Sequence, residues 1–112
     1  MLPQSPPQFQ WLDPWLDIDD NNEVFVRELL LELSSQHAFH GLSFAAIAKR
    51  VDCDDVLFST SDHSAPYVVV HLTWRGREES DLRWPHAVGF KSWGDWIERC
   101  FLPDHNEYFR GG

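Results

Sequence analysis

The chain has 112 residues, a length that suits one domain and leaves no room for two. At 43% apolar and 14% aromatic residues it carries too much hydrophobic material for a disordered chain. Eighteen Asp and Glu against nine Lys and Arg give a net charge of −9 with the histidines neutral, a field that repels phosphate backbones and anionic lipid and draws in basic partners.

No apolar run approaches the ~20 residues of a membrane span; the longest is Tyr67 to Val70. No basic n-region followed by an apolar h-region opens the chain, and two cysteines do not make a disulfide framework. The expectation is a cytoplasmic protein that binds neither nucleic acid nor membrane.

Residues 1–20 read as an extended arm, because Pro3, Pro6, Pro7 and Pro14 deny helical donors and push their predecessors toward extended geometry. Trp11, Leu12, Trp15 and Leu16 are costly to leave in water, so the arm is expected to pack on the domain formed by residues 21–112. Asp13, Asp17, Asp19, Asp20 and Glu23 make its second half the densest acidic stretch of the chain.

Asn21 or Asn22 caps a predicted helix running to about Ser35. At 100° per residue Phe25, Val26, Leu29, Leu30 and Leu33 share one arc, the expected core face. Val24 and Leu31 fall on the far side, to be covered by the arm or by a partner.

Asp52-Cys53-Asp54-Asp55 is turn chemistry, and Val56 to Thr60 is a short β-branched and aromatic run. Ser43 to Val51 reads either as a short helix or as a strand, and the turn that follows favours a hairpin across residues 45–60. After a second turn at Ser61–Pro66, Tyr67 to Trp74 is the clearest strand, apolar on nearly both faces. A charged loop over 75–83 and a short extended piece, Ala87 to Lys91, follow.

Ser92 and Asp95 then open a helix with Trp93, Trp96, Ile97, Cys100 and Phe101 on one face, to be stopped by Pro103. The predicted fold is α+β: an antiparallel meander of three or four strands flanked by an N-terminal and a C-terminal helix, with both helices on one side.

Asp54-Asp55-Val56-Leu57-Phe58 followed by Val69-Val70-His71-Leu72-Thr73-Trp74 resembles a family of small, uncharacterised bacterial proteins. The likeness runs from residue 50 to 105, through the charged loop, the Trp84-Pro85 step and a terminal helix ending near Asp104. It implies a bacterial origin and a shared fold, and brings no activity with it. The arm lies outside it.

Several constellations invite chemistry. Asp52, Asp54 and Asp55 share a turn, but a calcium loop wants glycine at its sixth and glutamate at its twelfth position, where Leu57 and His63 stand. His37 and His40, with Cys53, Cys100 or His105 as distant ligands, lack any zinc-type spacing and read instead as a helix C-terminal cap. Arg75, Arg77 and Arg83 lie near Trp74 and Trp84, but Glu78, Glu79 and Asp81 cancel their field. No metal and no cofactor are expected.

His71, between Val70 and Leu72, reads as a buried ring in need of a partner, with Asp54 or Asp55 as candidates. A histidine oriented by a carboxylate is the start of acid–base chemistry, so the alternative function is a small hydrolase or metal-dependent enzyme using His71 with Asp54 or Asp55. The leading expectation is a non-enzymatic module that binds a basic protein, in the manner of bacterial immunity proteins and antitoxins against cationic nucleases. Its expected contact residues are Asp13, Trp15, Asp17, Asp19, Asp20 and Glu23. The oligomeric state is left open.

Overall fold

The computed structural model describes residues 2–18, 22–77 and 85–111. Asp19, Asp20, Glu78, Glu79, Asp81, Arg83 and Trp84 lie outside the described residues. Five strands, β1 (Trp15–Asp17), β2 (Phe44–Arg50), β3 (Asp55–Thr60), β4 (Tyr67–His71) and β5 (His86–Phe90), form one antiparallel sheet in sequence order.

The α+β class, the meander and the 45–60 hairpin agree with the sequence pattern. The strand number does not, and the extra strand comes from the arm. Trp15 pairs with Arg50 and Asp17 with Ala48. Pro14 stands just before this edge strand, where a missing N–H breaks no ladder, and its carbonyl accepts the Val51 N–H at 2.8 Å.

Two cores result, one on each face of the sheet. Ala46, Val56, Phe58, Val68 and Val70 meet Leu29 and Leu33 of α1 (Asn22–Glu32). Ile47, Ala48, Leu57, Tyr67 and Phe90 meet Trp15, Trp96 and Phe101 on the other side. A bulge between Ala46 and Ala48 shifts the register of β2 against β3; the extra residue reverses the alternation, so Ala46 serves the first core and Ala48 the second. The helices therefore sit on opposite faces, not on one side. Burial from both sides explains why β4 is apolar almost throughout.

The C-terminal helix is built from α2 (Trp93–Trp96), a π-helical turn (Ile97–Phe101) and α3 (Leu102–Gly111). Ser92 caps α2 as expected, its Oγ accepting the Asp95 N–H at 3.0 Å, while Asp95 Oδ2 accepts the Lys91 N–H at 2.9 Å. Pro103 does not stop the helix. It follows the wide turn and enters the first turn of α3, where a proline without an N–H is tolerated.

The arm does fold back, but onto the second core. Phe9 stacks edge-on against Trp93 at 5.0 Å and Trp15 against Trp96 at 5.4 Å. Val24 and Leu31 are consequently left uncovered, 51% and 45% exposed.

The inner face of α1 is also turned by about 50° from the arc its apolar residues suggest, at 100° per residue. Leu30 is 53% exposed, whereas Glu28 and Glu32 are buried in its place. The cause lies across from the helix: the backbone N–H groups of Thr73 and Trp74 need acceptors, and Glu32 supplies both oxygens at 2.9 Å. Each N–H left unpaired at such a site costs about 1–3 kcal/mol, so the two together match or exceed the roughly 1.5–3 kcal/mol gained by hiding one leucine.

Candidate functional site

Three polar or exposed regions follow from this architecture: the acidic approach to α1, the carboxylate and histidine row beneath the C-terminal helix, and the outer face of α1.

Along the acidic approach, Asp13 and Asp17 are exposed, Asp13 in the turn that precedes β1 and Asp17 at the end of β1. His105 Nδ1–H donates to the Asp13 carbonyl at 2.7 Å, tying the arm to α3. Glu23 stands exposed in the first turn of α1. Trp15 departs from the expectation of a surface anchor. Its ring is 0% exposed and its Nε1–H donates to Asp104 Oδ2 at 3.0 Å, because β1 turns alternate side chains inward and Trp15 falls on the inner phase. Leu16, on the other phase, is 43% exposed.

Asp104 gathers further donors on the same oxygen: Arg50 Nη1 at 3.2 Å and Cys100 Sγ at 3.3 Å. Arg50 also grips Asp52 with two N–H bonds of 2.8 Å, which holds the Asp52 carboxyl below its ordinary range. Burial first, and then the Asp104 carboxylate, push the Cys100 thiol far up. Burial raises the Cys53 thiol as well, against a bond from the Asp55 backbone that favours the thiolate. Both sulfurs stay protonated near neutrality and are poor nucleophiles.

The three aspartates of the 52–55 turn diverge. Asp52 serves Arg50, Asp54 gives its backbone carbonyl to the Leu72 N–H at 3.1 Å, and Asp55 reaches His71. Asp55 and His71 are register partners on β3 and β4, and Asp55 Oδ1 lies 2.8 Å from His71 Nδ1. The sequence left Asp54 and Asp55 open as partners; the strand phase selects Asp55. His71 is not buried as expected, since its side chain is 41% exposed, at the end of β4 where the sheet meets solvent. His86 is its register partner on β5.

His37 caps no helix end. Its Nδ1 accepts the Phe39 N–H at 3.1 Å and its Nε2–H donates to the Pro85 carbonyl at 3.2 Å, which fixes the tautomer and occupies both nitrogens.

The outer face of α1 supplies what sequence reasoning had set aside for the arm. Val26, Leu30, Leu31 and Phe44 line a groove of about 490 Å³, with Glu23 and Arg27 at its rim. The signal was present in Val24 and Leu31, whose helical phase excluded them from the core. The chain matches no family model, no curated protein and no solved structure.

Proposed function

We propose that the protein is a small acidic binding module that seats an apolar and basic segment of a protein partner in the α1 groove. The observation that carries this reading is the coincidence of exposed Val24, Leu30 and Leu31 on α1 with a groove rimmed by Glu23 and Arg27, in a chain of net charge −9. Contiguous exposed apolar surface edged by charge is the usual make-up of a protein contact. Long-range charge steers a cationic partner in, and buried leucines give short-range affinity.

A second copy of this chain is a poorer occupant, because two bodies of charge −9 repel. In a bacterium, an immunity protein or antitoxin that blocks a cationic nuclease has this character. Asp13, Asp17 and Glu23, together with Asp19 and Asp20, form the steering stretch. Trp15 acts from inside by holding β1 in place.

A second reading, a small hydrolase using His71 with Asp55, draws on the 2.8 Å contact between them. That contact orients an imidazole, but the nearby thiols are held protonated and supply no nucleophile.

A labelled amphipathic Lys/Leu helical peptide and its Glu/Leu counterpart, followed by fluorescence anisotropy at two ionic strengths, test the first reading. The basic peptide should bind more tightly and lose affinity with salt, and Leu30→Asp should weaken it about tenfold or more without unfolding the chain. Equal binding of the two peptides, or indifference to Leu30→Asp, overturns it.

A further inference from the structure

The inner face of α1 carries a second feature that the binding reading does not use. Glu28 and Glu32 lie one helical turn apart, 8% and 0% exposed, in a wall of Leu29, Leu33, Val70 and Leu72. The Glu28 side chain, next to Glu32, favours the protonated form of the Glu32 carboxyl. Together they hold the chain that leaves β4: Glu32 Oε1 accepts the Thr73 N–H and Oε2 the Trp74 N–H, each at 2.9 Å, and Glu28 Oε2 accepts the Gly76 N–H at 3.0 Å.

The held backbone is contorted. Trp74 has φ 57° and Gly76 φ 68°, and for a tryptophan that left-handed conformation is unfavourable unless its surroundings enforce it. Two successive N–H groups pointing at one carboxylate form an anion-binding nest, which is the enforcement.

We propose that Glu28 and Glu32 form a proton-operated latch on the Thr73–Gly76 segment. With Glu32 protonated, both side chains hold the backbone. When the proton leaves, two buried anions one helical turn apart repel. Glu32 stays in its nest of two N–H groups and the Thr73 hydroxyl, and Glu28, with one backbone bond, swings toward solvent and releases Gly76.

The balance is poised near neutrality. Burial, then the Glu28 carboxyl, push Glu32 up to about 7, against the bonds from Thr73 and Trp74 that favour the anion. The charged and titratable groups on the surrounding elements are Arg75 and Arg77 on the held segment, Arg27 on α1, His37 on the loop after α1 and Lys49 on β2. Lys49 lies over the Phe25 ring, 5.8 Å from its centroid. The buried side chains of the sheet beneath, among them Val56, Phe58, Val68 and Val70, are uncharged.

Amide NMR of the whole protein between about pH 5 and pH 9 tests the latch, with exchange rates normalised to the intrinsic rate at each pH. The Gly76 amide should lose protection and move toward its unbonded shift with a midpoint near 7, while the Thr73 and Trp74 amides stay protected. In Glu28→Gln the side-chain carbonyl keeps Gly76 and the amide group donates to Glu32. Gly76 should then stay protected throughout, and the midpoint seen at Thr73 and Trp74 should fall by a unit or more.

A Gly76 amide with constant protection in the wild type overturns the latch. So does release of all three amides together, which would mean that the segment opens as a whole. If Glu28→Gln does not fold, the wild-type contrast between Gly76 and its two neighbours decides.

Discussion

The sheet face beneath the C-terminal helix is sealed by interlocking indole and phenyl rings, whereas the face beneath α1 is closed by aliphatic side chains, by Phe44 and Phe58, and by a pair of carboxyls. On the sealed side Trp15, Trp96 and Phe101 are 0–2% exposed, the arm adds Phe9 and Trp11, and the polar groups at the margin converge on Asp104. On the α1 side the helix buries two ionisable groups and presents leucines to solvent. One face spends its aromatic residues on stability. The other combines exposed apolar surface with a titratable interior, and so carries both the proposed groove and the proposed latch.

The sharpest way to break this contrast is to remove a ring from the sealed side. Trp15→Ala takes away a fully buried side chain, and large-to-small changes of this kind cost about 3–5 kcal/mol. Denaturant unfolding should show that loss, with the arm released from the second core. A cost below about 1 kcal/mol would mean that the arm is dispensable and the two faces are not so different.

The α1 side should instead answer to pH. The folded chain raises Glu32 from 4.5 to about 7, so the folded state holds a proton that the unfolded state has lost. The stabilisation is complete below about pH 4.5, declines as pH rises to about 7, and is constant above. At 1.36 kcal/mol per unit the decline amounts to about 3 kcal/mol. Unfolding free energies of wild type and Glu32→Gln across this window check it: the wild type should lose stability as pH rises, and the variant should show less of this slope.

Back on the sealed side, Asp104→Ala orphans the Trp15 indole N–H and one arm of Arg50 together. A loss of about 1–3 kcal/mol is expected for stranded buried donors. Asp104→Asn, which keeps an acceptor for Trp15, should recover part of it in the same melting experiment.

How much of this was legible follows the same division. Patterns with a strong local period were readable: the 45–60 hairpin, the Ser92 cap and the Trp93–Phe101 face appear where the residues place them. The strand expected over Tyr67–Trp74 starts at Tyr67 but ends at His71, because the chain turns to α1 with Trp74 at φ 57°. What escaped depended on partners distant in sequence. β1 was hidden because its prolines read as breakers, although an edge strand accepts a proline at its start. The phase of α1 was misread because Glu28 and Glu32 count as solvent-facing until the N–H groups of residues 73–76, more than forty positions away, are set against them. The bulge at Ile47, which divides the two cores, has no glycine to announce it. The acidic approach was visible as composition, but not that strand phase would send Trp15 inward and leave Leu16 outside.

The smallest effect should come from His71, and it separates the enzymatic reading from the binding one. A mid-strand histidine between two apolar residues suggests a buried ring whose removal is costly. The ring instead stands at the end of β4, its side chain 41% exposed and that of its partner Asp55 27% exposed. Water screens such a pair, and exposed ion pairs contribute about 0–1 kcal/mol. His71→Ala should therefore lower stability by less than about 1 kcal/mol and leave binding of the basic amphipathic peptide unchanged, because strand alternation turns the His71 side chain to the face of the sheet opposite α1, between Val70 and Leu72 of the α1-side core. Thermal melts and anisotropy on the same preparation measure both. A large loss of stability would show a role in the second core that its exposure does not suggest. A hydrolytic activity in the wild type that vanished in this variant, with the fold intact, would move the functional site to the other face of the sheet.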